Sequence, residues 1–226
     1  MPSALVTGGS SGIGLAIARV LDQEGYALTL AARSVERLEA AADALGALAV
    51  ATNVLEEEDC ARLVERHVTR HGGLDVLVNS AGVGFAGTIA DTATKRFDIQ
   101  LGVNLRGAFL VTREALPHLR ASSGYVVNLA SIAGTIPTPG LAAYGATKAA
   151  LIALTRTLVR EEAEHGVRAT ALCPAFVDTP MTGWTGLPGE ELIRPEDCAE
   201  IVRSLLRLSP AARVPVVVIE RAGDDV

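Results

Sequence analysis

Seven short apolar runs alternate with six longer helix-forming stretches along this chain, and that alternation constrains its fold more than any other feature. The runs cover residues 4–7, 27–32, 48–52, 76–79, 125–130, 168–173 and 214–219. Most are continuously apolar, the pattern of strands covered by helices on both faces. The helix-forming stretches are 14–25, 35–45, 56–71, 94–119, 142–165 and 195–208. Such alternation predicts a parallel sheet with right-handed crossovers. The expected fold is α/β: a single Rossmann-like, doubly wound domain over residues 1–226, its seven-stranded parallel sheet flanked by helices on both faces. No internal repeat, low-complexity linker or shift in composition marks a second domain. Residues 179–195, rich in Gly, Pro and Thr, are the one long irregular stretch and are expected to form a substrate-side loop. The polar tail 222–226 is expected to fray.

The 226 residues are enough for a large core, and 49% apolar against 20% charged residues excludes disorder. A net charge of -6 without a basic stripe speaks against nucleic-acid binding. The first residues lack a signal-peptide pattern, and no apolar run reaches the roughly 18 residues of a membrane span. Cys60, Cys173 and Cys198 are odd in number, widely spaced and outside any C-x-x-C, so they read as reduced, mostly buried thiols. A cytoplasmic protein with no membrane partner is expected. His67, His71, His118 and His165 form no metal-ligand grouping and are read as surface residues, so no metal site is expected.

The first apolar run leads directly into Thr7-Gly8-Gly9-Ser10-Ser11-Gly12-Ile13-Gly14, and a helix follows. One glycine permits the sharp turn, another lets the backbone approach a pyrophosphate, and another lets helix pack on strand. Free N–H groups at the helix N-terminus then face the anion. The plainer alternative is a glycine-rich turn with no ligand, but the strand–turn–helix context favours a phosphate cradle formed by Gly8, Ser10, Ser11, Gly12, Ile13 and Gly14. The second run ends at Ala31-Ala32-Arg33-Ser34, where an acidic side chain would hold the adenosine ribose. No acid stands there. Arg33 attracts a 2′-phosphate that a carboxylate would repel, so NADP(H) is expected over NAD(H). The competing reading of Arg33 is a solvated residue or a pair with Glu36.

Tyr144 and Lys148 are one helical turn apart and share a helix face. A nearby ammonium favours a phenolate, which would bring Tyr144 toward acid–base range near neutral pH. Ser131 follows the run at 125–130, at a strand's carboxyl end, where open α/β sheets bind ligands. Its hydroxyl can bond a substrate oxygen. It lies in no Gly-x-Ser-x-Gly elbow, which makes a hydrolase unlikely.

Along nearly its whole length the chain resembles the short-chain dehydrogenase/reductase family. The resemblance rests on Thr7-Gly8-x-x-x-Gly12-x-Gly14, Asn79-Ser80-Ala81-Gly82, Asn104, Ser131, Tyr144, Lys148 and Pro174-x-x-Val177-x-Thr179, in that order. It implies an NADP(H)-linked oxidoreductase interconverting a carbonyl and an alcohol. Tyr144 would be the proton donor and acceptor, and Ser131 would orient the carbonyl. Lys148 would hold the nicotinamide ribose and tune Tyr144, and Asn104 would support a water chain from Lys148 to solvent. Asn53 and Val54, with Asn79, Ala81 and Gly82, would line the adenosine side, next to Arg33 and Ser34. Pro174, Val177 and Thr179 would cover the nicotinamide. The resemblance also implies a homodimer or homotetramer.

Four departures from the family pattern stand out. Ser80 replaces a second Asn, Asn53 replaces an Asp, and Ala175 replaces a Gly after Pro174. The chain also lacks the usual glycine pair beyond Ile219, which puts the usual tetramer surface in doubt. Competing readings are an NAD-dependent alcohol dehydrogenase and a catalytically silent NADP-binding regulator. A nucleotide-sugar epimerase is less favoured, because the chain leaves little room for its extra domain. Phe85, Ile136, Met181 and Trp184 are the expected apolar pocket residues, with Trp184 alternatively packing its own loop down.

Overall fold

In a computed structural model, which describes residues 1–183 and 185–223, the apolar runs pair into one parallel sheet. Its strands are β1 (Ser3–Thr7), β2 (Ala27–Ala32), β3 (Leu48–Ala51), β4 (Val76–Asn79), β5 (Tyr125–Leu129), β6 (Arg168–Pro174) and β7 (Val216–Ile219). Their spatial order is β3-β2-β1-β4-β5-β6-β7. The chain winds outward from β1 in one direction through β2 and β3, then crosses back to β4 and winds the other way. The switch between β1 and β4 opens a crevice at the strands' carboxyl ends, where such sheets bind ligands.

Among the described residues, seven α-helices cover the sheet: α1 (Gly12–Gln23), α2 (Val35–Leu45), α3 (Glu57–His71), α4 (Thr94–Leu101), α5 (Ala108–Ser122), α6 (Ala142–Glu161) and α7 (Pro195–Leu206). Alternate strand residues enter opposite apolar layers. Ala4, Val6, Val76, Val78 and Val127 pack under α1 and α7. Leu5, Leu77 and Val126 pack under α3 and α5. This two-sided burial is why the runs are continuously apolar. The edge strand β7 departs from it, with Val218 44% exposed.

Two expectations need correction. The helix read over 94–119 is α4 and α5 joined through a π-helical turn at Gly102–Gly107, and it continues to Ser122. His67 is not on the surface but fully buried, with Nδ1 2.8 Å from Thr29 Oγ1 and Nε2 3.3 Å from Ser3 Oγ. Of the polar tail, Gly223 lines the cleft, and residues 224–226 lie outside the described residues. Among the described residues, no helix is long and apolar enough to cross a membrane.

Candidate active site

A cleft of about 1130 Å³ runs along the carboxyl ends of the strands. The turn after β1 forms its floor. Gly8 adopts φ +67°, a left-handed conformation that favours glycine, and a Cβ there would meet the Ser80 and Ala81 backbone at 2.8 Å. Thr7 Oγ1 accepts the Ser80 and Ala81 N–H groups at 3.1 and 3.2 Å, fixing the loop after β4 to the turn. Ser11 sits at the N-cap of α1 in extended geometry and makes no side-chain capping bond. The first N–H groups of α1 therefore open onto the cleft, with the positive end of the helix dipole behind them.

Gly8, Ser10, Ser11, Gly12 and Ile13 line the cleft, as do Arg33, Ser34, Asn53, Val54, Ala81, Gly82, Ser131, Tyr144, Lys148, Pro174, Val177 and Thr179. Gly14 and Asn79, expected against the cofactor, stand behind the wall instead, as does Asn104, expected to support a water chain from Lys148. Gly14 serves close packing, since a Cβ there would come within 2.5 Å of the Gly8 carbonyl oxygen. Asn79 ties the sheet together: its Nδ2 donates to Asn128 Oδ1 at 2.8 Å and to Thr112 Oγ1 at 2.9 Å. Asn104, in the π turn, accepts the Val83 N–H at 2.8 Å and donates to the Val83 carbonyl at 2.9 Å and Thr147 Oγ1 at 3.1 Å.

Sequence reasoning missed Arg37. It lines the same end of the cleft as Arg33, and its Nε donates to Ser34 Oγ at 3.4 Å. The available signal was its place one turn beyond Arg33 at the start of a helix. Among the described residues, the charged side chains lining the cleft are Arg33, Arg37 and Lys148, and none is a carboxylate. At the opposite end Phe85, Ile136, Leu141, Phe176 and Met181 form an apolar wall. Trp184, read from sequence as a pocket candidate, lies outside the described residues.

Between the two ends stand Ser131, Tyr144 and Lys148. Ser131, 8% exposed, caps a short 3-10 turn at Ile132–Gly134, its Oγ accepting the Ala133 N–H at 3.2 Å. Tyr144 and Lys148 project from the first turns of α6. Lys148 Nζ donates to the Leu129 carbonyl at 2.6 Å and lies 5.6 Å from the Tyr144 ring centroid. Burial raises the Tyr144 pKa, while a hydrogen bond from Ser131 opposes the rise. Burial also brings the Lys148 ammonium down to about 8. This reverses the expectation that Lys148 pulls Tyr144 below the free tyrosine value. Desolvation is the largest effect at Tyr144, and the Lys148 ammonium is held by the Leu129 carbonyl.

The residues present fit a nicotinamide dinucleotide. The glycine turn leaves room that a Cβ would fill, the α1 N-terminus lacks a side-chain cap, and the charged side chains at the β2 end, Arg33 and Arg37, are both positive. The family model for short chain dehydrogenases matches residues 2–186, and the chain belongs to that family. It is 38% identical over 202 residues, 88% of each chain, to an uncharacterized oxidoreductase of Staphylococcus epidermidis. Its fold superposes with TM-score 0.92 on an alcohol dehydrogenase from the archaeon Thermococcus sibiricus complexed with 5-hydroxy-NADP, at 34% identity, covering 99% of this chain and 97% of that one. A 3-ketoacyl-(acyl-carrier-protein) reductase from Brucella melitensis complexed with NADH gives TM-score 0.91 at 30% identity, covering 97% and 96%. The protein is thus an oxidoreductase of a family that binds NAD(P)(H) and acts on small molecules.

Proposed function

We propose that this protein is a cytoplasmic, NADP(H)-dependent reductase of neutral, apolar aldehydes or ketones, acting reversibly, with Tyr144 as its acid–base group. The observation that carries the reading is the division of the cleft. One end presents Arg33 and Arg37 without a carboxylate, the other presents an apolar wall, and Ser131, Tyr144 and Lys148 stand between them. A 2′-phosphate is attracted by the two guanidiniums, whereas a substrate bearing its own charge finds no partner among Phe85, Ile136 and Met181.

When bound, the dinucleotide supplies or takes up the hydride at the substrate carbon. Gly8 to Ile13 and the α1 N-terminus would hold its pyrophosphate, and Pro174, Val177 and Thr179 its nicotinamide side. Ser131 donates a hydrogen bond to the carbonyl oxygen and polarises it. Tyr144 gives its phenolic proton to that oxygen during reduction and takes it back during oxidation. Its raised pKa keeps the hydroxyl protonated through neutral pH, as reduction requires. Lys148 presents a positive charge to the ribose and to the oxygen as it gains charge.

Tyr144→Phe tests the chemistry, because it removes a hydroxyl and little else. Turnover of the best substrate from a carbonyl panel is expected to fall about 10²–10⁴-fold, with NADPH affinity retained. A variant keeping more than about a tenth of wild-type turnover would overturn the role of Tyr144. Arg33→Asp tests cofactor choice: NADPH is expected to bind roughly ten- to a hundredfold more weakly. The competing reading, NAD dependence, draws on the NADH carried by the Brucella neighbour. It predicts an NADPH dissociation constant that ignores this change.

A further inference from the structure

Arg96 and Gln100 of α4 and Asn104 of the π turn follow one another at four-residue spacing, and all three contact the loop at residues 83–85. The Arg96 guanidinium lies 5.7 Å from the Phe85 ring centroid. Gln100 Oε1 accepts the Phe85 N–H at 3.0 Å. Asn104 takes both the N–H and the carbonyl of Val83. Gln100 is fully buried, and its Nε2 has no hydrogen-bond partner. A buried amide with an orphaned donor is unfavourable unless its other end does something an apolar side chain cannot. The amide's orientation follows from the loop, since only its oxygen can meet the Phe85 N–H.

The gripped loop forms part of the reactive wall. A Cβ on Gly84 would lie 3.6 Å from the Tyr144 ring and 3.7 Å from the Met181 sulfur, so the backbone of Gly84 sits in the gap between them. A small outward movement of residues 83–85 would widen the space beside the Tyr144 ring. We propose that Gln100 is a positioning residue: through the Phe85 N–H it sets how closely the loop approaches Tyr144 and Met181, and so sets the width of the substrate pocket. This deepens the carbonyl-reductase reading and rests on it. Asn104 fixes the loop at Val83, close to the strand end, and Gln100 fixes it two residues further out, where the apolar wall begins.

The experiment compares Gln100→Met, which keeps length but loses the acceptor, with Gln100→Glu, whose carboxyl group keeps an acceptor oxygen. The substrates are straight-chain methyl ketones of graded length. In Gln100→Met, KM for the longer ketones is expected to rise about tenfold, with kcat for the shortest nearly unchanged. Hydrogen–deuterium exchange of the peptide covering residues 83–86 is expected to quicken about tenfold. Gln100→Glu should restore both. If Gln100→Met does not fold, Gln100→Asn, whose amide is too short to reach Phe85, carries the same expectations. The proposal fails if exchange at residues 83–86 stays at the wild-type rate. It also fails if KM and kcat worsen together for every ketone without rescue by Gln100→Glu. If the wild type turns over no ketone, the carbonyl-reductase reading fails, and the exchange measurement still decides whether Gln100 holds the loop.

Discussion

Lys148 shows how an active site trades stability for function. It is 4% exposed, and burial brings its pKa from 10.5 down to about 8. Below pH 8 the lysine is charged both folded and unfolded, so the full cost of burying the ammonium bears on the fold. As the pH rises from about 8 toward 10.5, the folded protein gives up the proton first, and stability increases. Lys148→Met removes the buried charge. It is expected to raise stability at pH 7 by about 2–3 kcal/mol while lowering turnover steeply. Thermal melts at pH 7 and pH 10 check this: the variant's advantage should shrink at the higher pH, and equal melting temperatures at pH 7 would contradict it. The pairing of Tyr144 with Lys148 is legible in sequence because helical spacing places it. The dryness that reverses their pKa shifts is not, since it depends on packing from distant parts of the chain. Asn79 illustrates the same limit. Its motif points to the cofactor, yet its amide nitrogen is spent on Asn128 and Thr112, 49 and 33 residues away.

At the scale of elements, six of the seven strands both begin and end within one residue of the sequence reading, because two-sided burial writes itself as unbroken apolar runs. β7 begins two residues later, at Val216. The helix reading loses detail where tertiary contact decides. The apolar pattern over 94–119 does not reveal the π turn that aims Asn104 at Val83, and Gly107 there packs so closely that a Cβ would lie 2.9 Å from the Val54 side chain. α3 hides a second surprise, His67, pressed between β1 and β2. One assignment of protons satisfies its surroundings: His71 Nε2 donates to Thr29 Oγ1, Thr29 donates to His67 Nδ1, His67 Nε2 donates to Ser3 Oγ, and Ser3 donates to the Gly73 carbonyl. Burial, helped by His71 and His118, brings its pKa from 6.5 down to about 4 against a backbone hydrogen bond at Gly73. Here the unfolded chain takes up the proton first, so the stabilisation is complete above about 6.5 and is lost as pH falls toward 4. Acid should therefore weaken the wild type by up to about 3 kcal/mol over this range. His67→Gln, which does not titrate, should show a shallower fall in denaturant midpoint between pH 6.5 and 4. Parallel curves for the two proteins would rule out His67 as the source.

At the scale of the whole molecule, the α4–α5 run leaves an apolar face without cover in the single chain. Phe97 is 40% exposed, Leu101 38% and Phe109 46%. Phe97 and Leu101 are one turn apart, so they form a continuous patch. On neighbouring α6 the exposed residues Ala146, Ala149 and Ala153 make a flat, small-residue face. Bulky side chains on one helix and small ones on the next suit a two-fold interface, in which each copy sets its aromatic residues on the alanines of the other. Fully burying an aromatic or leucine side chain contributes about 1.5–3 kcal/mol, and the patch holds three on each side of the axis. We therefore expect a homodimer built on α4, α5 and α6. Phe109→Glu should break it, because a carboxylate buried in an apolar interface is strongly disfavoured, while Phe109 is 46% exposed in the single chain and does not line the cleft. Light scattering at micromolar concentration should give a dimer mass for the wild type and a monomer mass for Phe109→Glu. A monomeric wild type would dismiss the dimer, and a variant that stays dimeric would place the interface elsewhere on the surface.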